Sequence, residues 1–210
     1  MSARDRLIAS LVPRGARVLD VGCGDGELLA RLAETRDAPG TGLEIDAGAV
    51  SRAVARGLSV VQGDADTDFA EYPDGSFGVV VLSDAIQTFR DPRAAIHHAV
   101  RVGERAVVSF PNFGFWRVRA NLMRTGRMPR SDALPAMWHQ TDNIHLCTVL
   151  DFLELCQVEG IKVHGAYGVS RDKVRAFSAE HPGFANLRAQ EAVFCIEGPG
   201  APDSPGSERR

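Results

Sequence analysis

Apolar residues recur along this chain in short blocks that alternate between helical and extended spacing. Leu7, Ile8, Leu11 and Val12 share one face of a short lead-in helix that Pro13 and Gly15 end. Arg17 to Val21 is a short apolar run, Gly22-Cys23-Gly24-Asp25-Gly26 follows, and Leu28, Leu29 and Leu32 return at helical spacing. This predicts a strand, a glycine turn and a helix. The alternation resumes with a strand over Thr41 to Ile45, a helix over Ala49 to Arg56 and a strand over Leu58 to Gln62. Pro73-Asp74-Gly75-Ser76 predicts a tight turn, and the unbroken apolar run from Phe77 to Leu82 predicts a fourth strand buried on both faces. Pro92 opens a helix through Val100, and Arg105 to Phe110 reads as a fifth strand.

Strands that alternate with helices imply parallel pairing, because parallel connections need a crossover and a helix supplies it. The expected fold is α/β, a doubly wound, mostly parallel sheet with helices on both faces. From Pro111 to Ile144 the pattern breaks into aromatics, arginines and prolines, which reads as a lid or insertion after the fifth strand. Asp151 to Gln157 resumes a helix, and Ile161 to Val163 and Ala192 to Ile196 are the last strand candidates. Residues 1–197 are therefore expected to form one domain, with residues 198–210, rich in Pro, Gly and Ser, as a floppy tail.

Composition narrows the function classes. The 210 residues are 44% hydrophobic and 24% charged, the mix of a globular domain with a sizeable core. Lys and Arg total 24 against 27 Asp and Glu, a net charge of -3, which lacks the basic excess of a general nucleic-acid binder. The 4 cysteines lie far apart with no metal-ligand spacing, so reduced thiols and no metal are expected. No apolar segment approaches a membrane span and no h-region follows Met1, so the expected location is the cytoplasm.

Gly22, Gly24 and Gly26 directly follow a strand, so the main chain can turn tightly and a ligand can approach it without meeting a Cβ. Asp20 stands before them, where its carboxylate would repel a phosphate and attract a cationic group. That disfavours a dinucleotide and suits a ligand bearing an amino group and a sulfonium, such as S-adenosylmethionine. Glu44, at the end of the second strand, stands where an acid reaches ribose hydroxyls, and Asp64, after the third, can accept from an adenine amino group. Cys23, Ile45, Ala65 and Ser83 complete the expected lining. Each acid also has a plainer reading as a helix cap or solvated loop residue, with Asp25 a natural N-cap and Asp46 a cap for the helix after it.

The phrases Val18 to Gly26, Gly42-Leu43-Glu44-Ile45-Asp46, Gly63-Asp64 and Pro73 to Phe77 resemble class I S-adenosylmethionine-dependent methyltransferases over about residues 15 to 110. That resemblance implies a seven-stranded sheet of order 3-2-1-4-5-7-6 with the seventh strand antiparallel. It also implies S-adenosylmethionine or S-adenosylhomocysteine as cofactor, with Asp20 and the glycine loop near the methionine moiety. Gly78 replaces the acid that often follows Phe in the fourth-strand motif. A narrower match lies in Ser109 to Arg119, Gly126-Arg127-Met128-Pro129 and Asn143 to Thr148 with Asp151-Phe152, which together resemble the MetW family of methionine biosynthesis proteins. The resemblance implies a protein that supports acylation of homoserine as partner of a homoserine O-acyltransferase.

Catalytic machinery is sparse, as expected where a cofactor supplies the electrophile. The fourth strand ends in Ser83-Asp84-Ala85-Ile86, not the Asn/Asp-Pro-Pro-Tyr/Phe that grips amide or amino acceptors. Asp84 is a candidate general base or acceptor contact, and equally a polar residue opening a loop. His145 is a candidate catalytic residue facing the pocket, and equally a hydrogen-bonded structural histidine. No G-x-S-x-G elbow is present, so acyl transfer would belong to another chain. Between Glu104 and Asp132 stand six arginines and no acid, beside Phe113, Phe115 and Trp116. A partner surface, a single-stranded nucleic-acid platform and an ordinary amphipathic helix all fit that block.

Overall fold

The computed structural model describes residues 2–131 and 133–198. Its elements, in chain order, are α1 (Ala3–Leu11), β1 (Val18–Val21), α2 (Glu27–Arg36), β2 (Gly40–Glu44), α3 (Ala47–Ala55), β3 (Ser59–Gln62) and α4 (Ala65–Asp68). There follow β4 (Phe77–Ser83), α5 (Pro92–Val102), β5 (Gly103–Pro111), α6 (Trp116–Thr125), α7 (Val149–Val158), β6 (Lys162–Ser170), β7 (Lys173–Ala176), α8 (Ala185–Arg188) and β8 (Glu191–Glu197).

The strands form one sheet of order β3-β2-β1-β4-β5-β8-β6-β7. The first five pair in parallel, while β8 runs antiparallel between β5 and β6. The doubly wound α/β fold is as expected, but the sheet has eight strands, not seven. The additional strand is β7, which pairs antiparallel with β6 at the sheet's edge. Its sequence, Lys-Val-Arg-Ala, is exposed throughout and so carries no apolar run. The expected strand over Ile161 to Val163 is longer than predicted, because β6 continues through two glycines to Ser170.

Side-chain alternation along β4 explains the layering. Val79 and Val81 face α1 and α2, where Ile8, Val12, Leu29 and Leu32 complete one core. Val80 and Leu82 face α5 and α7, whose Ile96, Ala99, Phe152 and Cys156 join Phe110 and Phe194 in the other. Phe194 stacks between Phe110 and Phe152, with ring centroids at 5.8 and 4.6 Å, which fastens the antiparallel β8 to the parallel half. Asp46 caps α3 as predicted, accepting from the Ala49 amide at 2.6 Å. Asp25 does not cap α2. Gly26 takes that position in a left-handed conformation, and Asp25 instead pairs with Arg56 at 3.1 Å.

The segment after β5 contains a helix, one of the readings that its arginine-rich block allows. Only Val118 of α6 is buried. Its entry is organised by Asn112, which donates to the carbonyls of Asn186 and Ala189 at 2.8 Å each and accepts from the amides of Gly114 and Val149. One buried amide thus ties the end of β5 to α7 and α8. All four cysteines are free thiols. Among the described residues no helix is long and apolar enough to cross a membrane. The expected tail lies, except for Gly198, outside the described residues.

Candidate functional site

Four parallel strands direct their carboxyl ends to one side, and the loops that leave them surround two adjoining cavities. The larger, of about 730 Å³, is lined by Gly22, Glu44, Ile45, Asp64, Ala65, Ser83 and Asp84, with Asp66, Phe89 and Arg90 opposite. The smaller, of about 180 Å³, is lined by Asp20, Cys23 and Arg31 and by Arg4 and Asp5 of α1. Gly22, Ser83 and Asp84 border both. The combined volume suits a nucleoside-sized ligand.

The loop between β1 and α2 owes its shape to three left-handed glycines, with φ of +74° at Gly22, +55° at Gly24 and +76° at Gly26. A Cβ at Gly26 would lie 2.3 Å from a terminal methyl of Leu58, which would have to move aside, whereas Gly24 faces open space. The Gly24 amide donates to Glu44 at 2.8 Å, and the Asp46 amide donates to the other Glu44 oxygen at 2.9 Å. Glu44 is therefore held rigidly at the cavity wall, with acceptor capacity left on both oxygens.

Asp20 is buried at the end of β1. Burial, and secondarily the Glu44 carboxylate, push its carboxyl up to about 7. A carboxyl in that state, here lining the smaller cavity, gains ionisation when a cationic group enters beside it. Cys23 lines the same cavity, but burial pushes its thiol up to about 12, so it offers packing and no nucleophile. Asp64 both lines the larger cavity and caps α4, accepting from the Asp66 amide at 3.0 Å.

Asp84 adopts a left-handed φ of 57° that turns the chain out of β4. One oxygen accepts from Arg4 and the other is buried without a hydrogen-bond partner among the described residues. Burial raises the Asp84 carboxyl, and the Arg4 guanidinium offsets part of that rise. Glu191, also raised by burial, lies 3.8 Å from Arg4. His145 lines neither cavity: it is exposed and its ring lies 3.3 Å from the Arg90 carbonyl oxygen. Its own amide and that of Ile144 donate to the Gln87 carbonyl, and this brings Thr141, Asp142 and Ile144 to the rim of the larger cavity.

Sequence reasoning did not single out Arg4, Asp66 or Gln87. Asp66 accepts from the Arg90 amide at 2.9 Å, and the buried Gln87 side chain donates to the Pro111 carbonyl at 3.2 Å. Of the three only Asp66 had a local signal, its place two residues after Asp64. Among the described residues no cluster of three His, Cys, Asp or Glu side chains could hold a metal ion.

Comparison with known proteins places the fold and the family. The fold matches a crystal structure from Thermotoga maritima described as a SAM-dependent methyltransferase, possible histamine N-methyltransferase, with TM-score 0.66 and 16% identity over 93% of this chain and 87% of that one. A Mesorhizobium loti S-adenosylmethionine dependent methyltransferase matches with TM-score 0.66 and 17% identity, covering 93% of this chain and 97% of that one. Among curated relatives, the bifunctional methionine biosynthesis protein MetXA/MetW of Rhodopirellula baltica is 28% identical over 164 residues, 74% of this chain and 26% of its own length. An uncharacterized methyltransferase of Mycobacterium tuberculosis is 39% identical over 113 residues, 50% of this chain and 57% of that protein. The chain thus spans about a quarter of the first relative and little more than half of the second. The family model for methionine biosynthesis protein MetW matches residues 3–196, and so the chain belongs to the MetW family.

Proposed function

We propose that this chain is an S-adenosylmethionine- or S-adenosylhomocysteine-binding accessory partner of a homoserine O-acyltransferase. The observation that carries the ligand is Asp20, a buried carboxyl on a cavity shaped by left-handed glycines, whose ionisation a ligand ammonium or sulfonium would restore. In this reading Asp20 and the Gly22 to Gly26 loop hold the methionine moiety, Glu44 the ribose diol and Asp64 the adenine edge. Ile45, Ala65 and Ser83 complete the walls. Bound S-adenosylmethionine supplies an electrophilic methyl group. The partner is supported by the relative that joins MetXA and MetW in one polypeptide. A soluble partner in the cytoplasm follows from this reading.

A second reading, methyl transfer to a small molecule, is favoured by Asp84, which borders both cavities. Arg4 occupies one oxygen of that carboxylate, so a proton would be taken by the other, with a basicity that the guanidinium lowers. The segment after β5, with Ile144 at the cavity rim, would act as a lid in either case.

Titration calorimetry with S-adenosylmethionine on the native chain and on Asp20→Ala, Glu44→Ala and Asp64→Ala tests the site. Binding lost in the variants supports it, and no heat with the native chain overturns it. Acylation of homoserine by the purified acyltransferase should rise on adding this chain; labelled methyl transfer to cell metabolites would instead support the second reading.

A further inference from the structure

The nucleoside cavities occupy only half of the sheet's carboxyl edge. Over β6 and β7, beside α8, lies a separate cavity of about 440 Å³, and one of about 410 Å³ continues from it toward the start of α6. They share Ser170, Lys173 and Arg188, so the two form one groove from Phe184 to Trp116.

The groove is lined by Arg117, Arg171, Lys173, Arg175 and Arg188 against a single acid, Asp172, which itself lies 3.9 Å from Arg6. Among the described residues none of these five cations pairs with a carboxylate. Arg4, Arg56, Arg90, Arg93, Arg101 and Arg105 pair with carboxylates elsewhere, and what distinguishes the five from other arginines is their gathering in one groove. In a chain of net charge -3, five unneutralised cations in one groove create a local field that an anionic partner relieves. Trp116 and Phe184, 49% and 67% exposed, stand at its ends, with Arg117 and Arg188 stacked over their rings at 5.3 and 5.1 Å. Exposed aromatics paired with arginine are typical of interface centres.

The backbone distinguishes which anion fits. Among the described residues the sheet ends at β7, so the outer edge of that strand offers amides and carbonyls to an extended peptide. Lys173 and Arg175, two residues apart, both face the groove. A nucleic acid could use the cations and rings but not the strand edge.

We propose that this groove docks an acidic, extended segment of the partner acyltransferase, with an apolar side chain of that segment seated against Phe177 and Phe184. The identity of the partner rests on the reading above, whereas the chemistry of the segment does not.

The test titrates the native chain, the triple variant Lys173→Glu/Arg175→Glu/Arg188→Glu and a control, Arg14→Glu, on the exposed loop before β1. The probes are the purified acyltransferase, a fluorescein-labelled peptide of glutamates around one phenylalanine, and an oligouridylate of equal charge. The peptide should bind the native chain and the control, lose affinity as salt rises, and bind the triple variant at least about tenfold more weakly. The acyltransferase should follow the same order. If the triple variant melts at a lower temperature, the single variants Lys173→Glu and Arg175→Glu replace it, each expected to lose about threefold. Peptide binding that is absent, or unchanged in the variants, overturns the proposal. An acyltransferase that binds native and triple variant equally also overturns it, while leaving the partner reading intact. Peptide binding without acyltransferase binding supports the groove chemistry and overturns the partner. Tighter binding of the oligouridylate than of the peptide overturns the protein segment.

Discussion

Arg4 of α1 donates to the Asp84 carboxylate across 80 residues of sequence, which joins the first helix to the loop that leaves β4. Burial raises the Asp84 carboxyl, and Arg4 is the group that lowers it again. Arg4→Met should therefore destabilise the protein by about 1–3 kcal/mol, less than for a fully buried pair because Asp84 keeps some solvent contact. A carboxyl raised in the folded state loses stability as pH rises through its folded value, so the loss should be larger near about pH 7.5 than near about pH 4.5. Urea melts at both pH values measure this, and equal losses would count against it.

Asp20 makes the ligand-free protein pH-sensitive. Its carboxyl moves from 3.8 to about 7 on folding, so the folded state holds the proton more tightly and stability declines as pH rises through that interval. Asp20→Asn removes the titration. Its melting temperature should exceed that of the native chain by more near about pH 8 than near about pH 5. The native chain should bind S-adenosylmethionine with proton release and growing affinity up to about pH 7, a slope the Asn variant lacks. Calorimetry in buffers of different ionisation enthalpy reads both.

Gly26 combines a φ of +76° with a Cβ position 2.3 Å from Leu58. Gly26→Ala should cost about 2–4 kcal/mol, part from the left-handed backbone and part from overlap. Adding Leu58→Ala should return the overlap portion only. Gly24→Ala, with the same backbone demand and no neighbour within 4 Å, should cost about 1–2 kcal/mol in the same denaturation experiment.

Asn112→Ala would strand two carbonyls and two amides in the interior, where the native side chain serves all four. A loss of about 3–5 kcal/mol is expected. Asn112→Asp should fail similarly, because its second oxygen would face the carbonyls of Asn186 and Ala189. Chemical denaturation of both variants checks this, and a loss below about 1 kcal/mol would show that the network relaxes.

These predictions separate what local pattern encodes from what it does not. The first five strands were legible because short extended segments alternate with helical spacing and turn chemistry, and the acids at the ends of β1, β2 and β3 were legible because parallel strands bring their carboxyl ends together. Helix α6 was legible only as one of three readings of its arginine-rich block, since it buries Val118 alone and is set off by no strong core-facing run. Strand β7 was not legible, since Lys173-Val174-Arg175-Ala176 places a cation at every other position and contains no two adjacent apolar residues. Arg4 escaped notice because its partners, Asp84 and Glu191, are brought to it only by the completed sheet. The phrase Pro111-Asn112-Phe113-Gly114 carried the family resemblance, and its polar member proves to be a structural hub.

The placement of β8 between β5 and β6 constrains how the molecule comes into being. During synthesis β6 and β7 emerge first and have no neighbour toward β5 until residues 191–197 arrive. The nascent chain can assemble its parallel half early, but the hairpin beyond it stays an unattached ribbon until that last insertion. A stop codon a few residues upstream of Glu191 would therefore leave two sheet fragments for a chaperone or protease to find, not a slightly shortened protein.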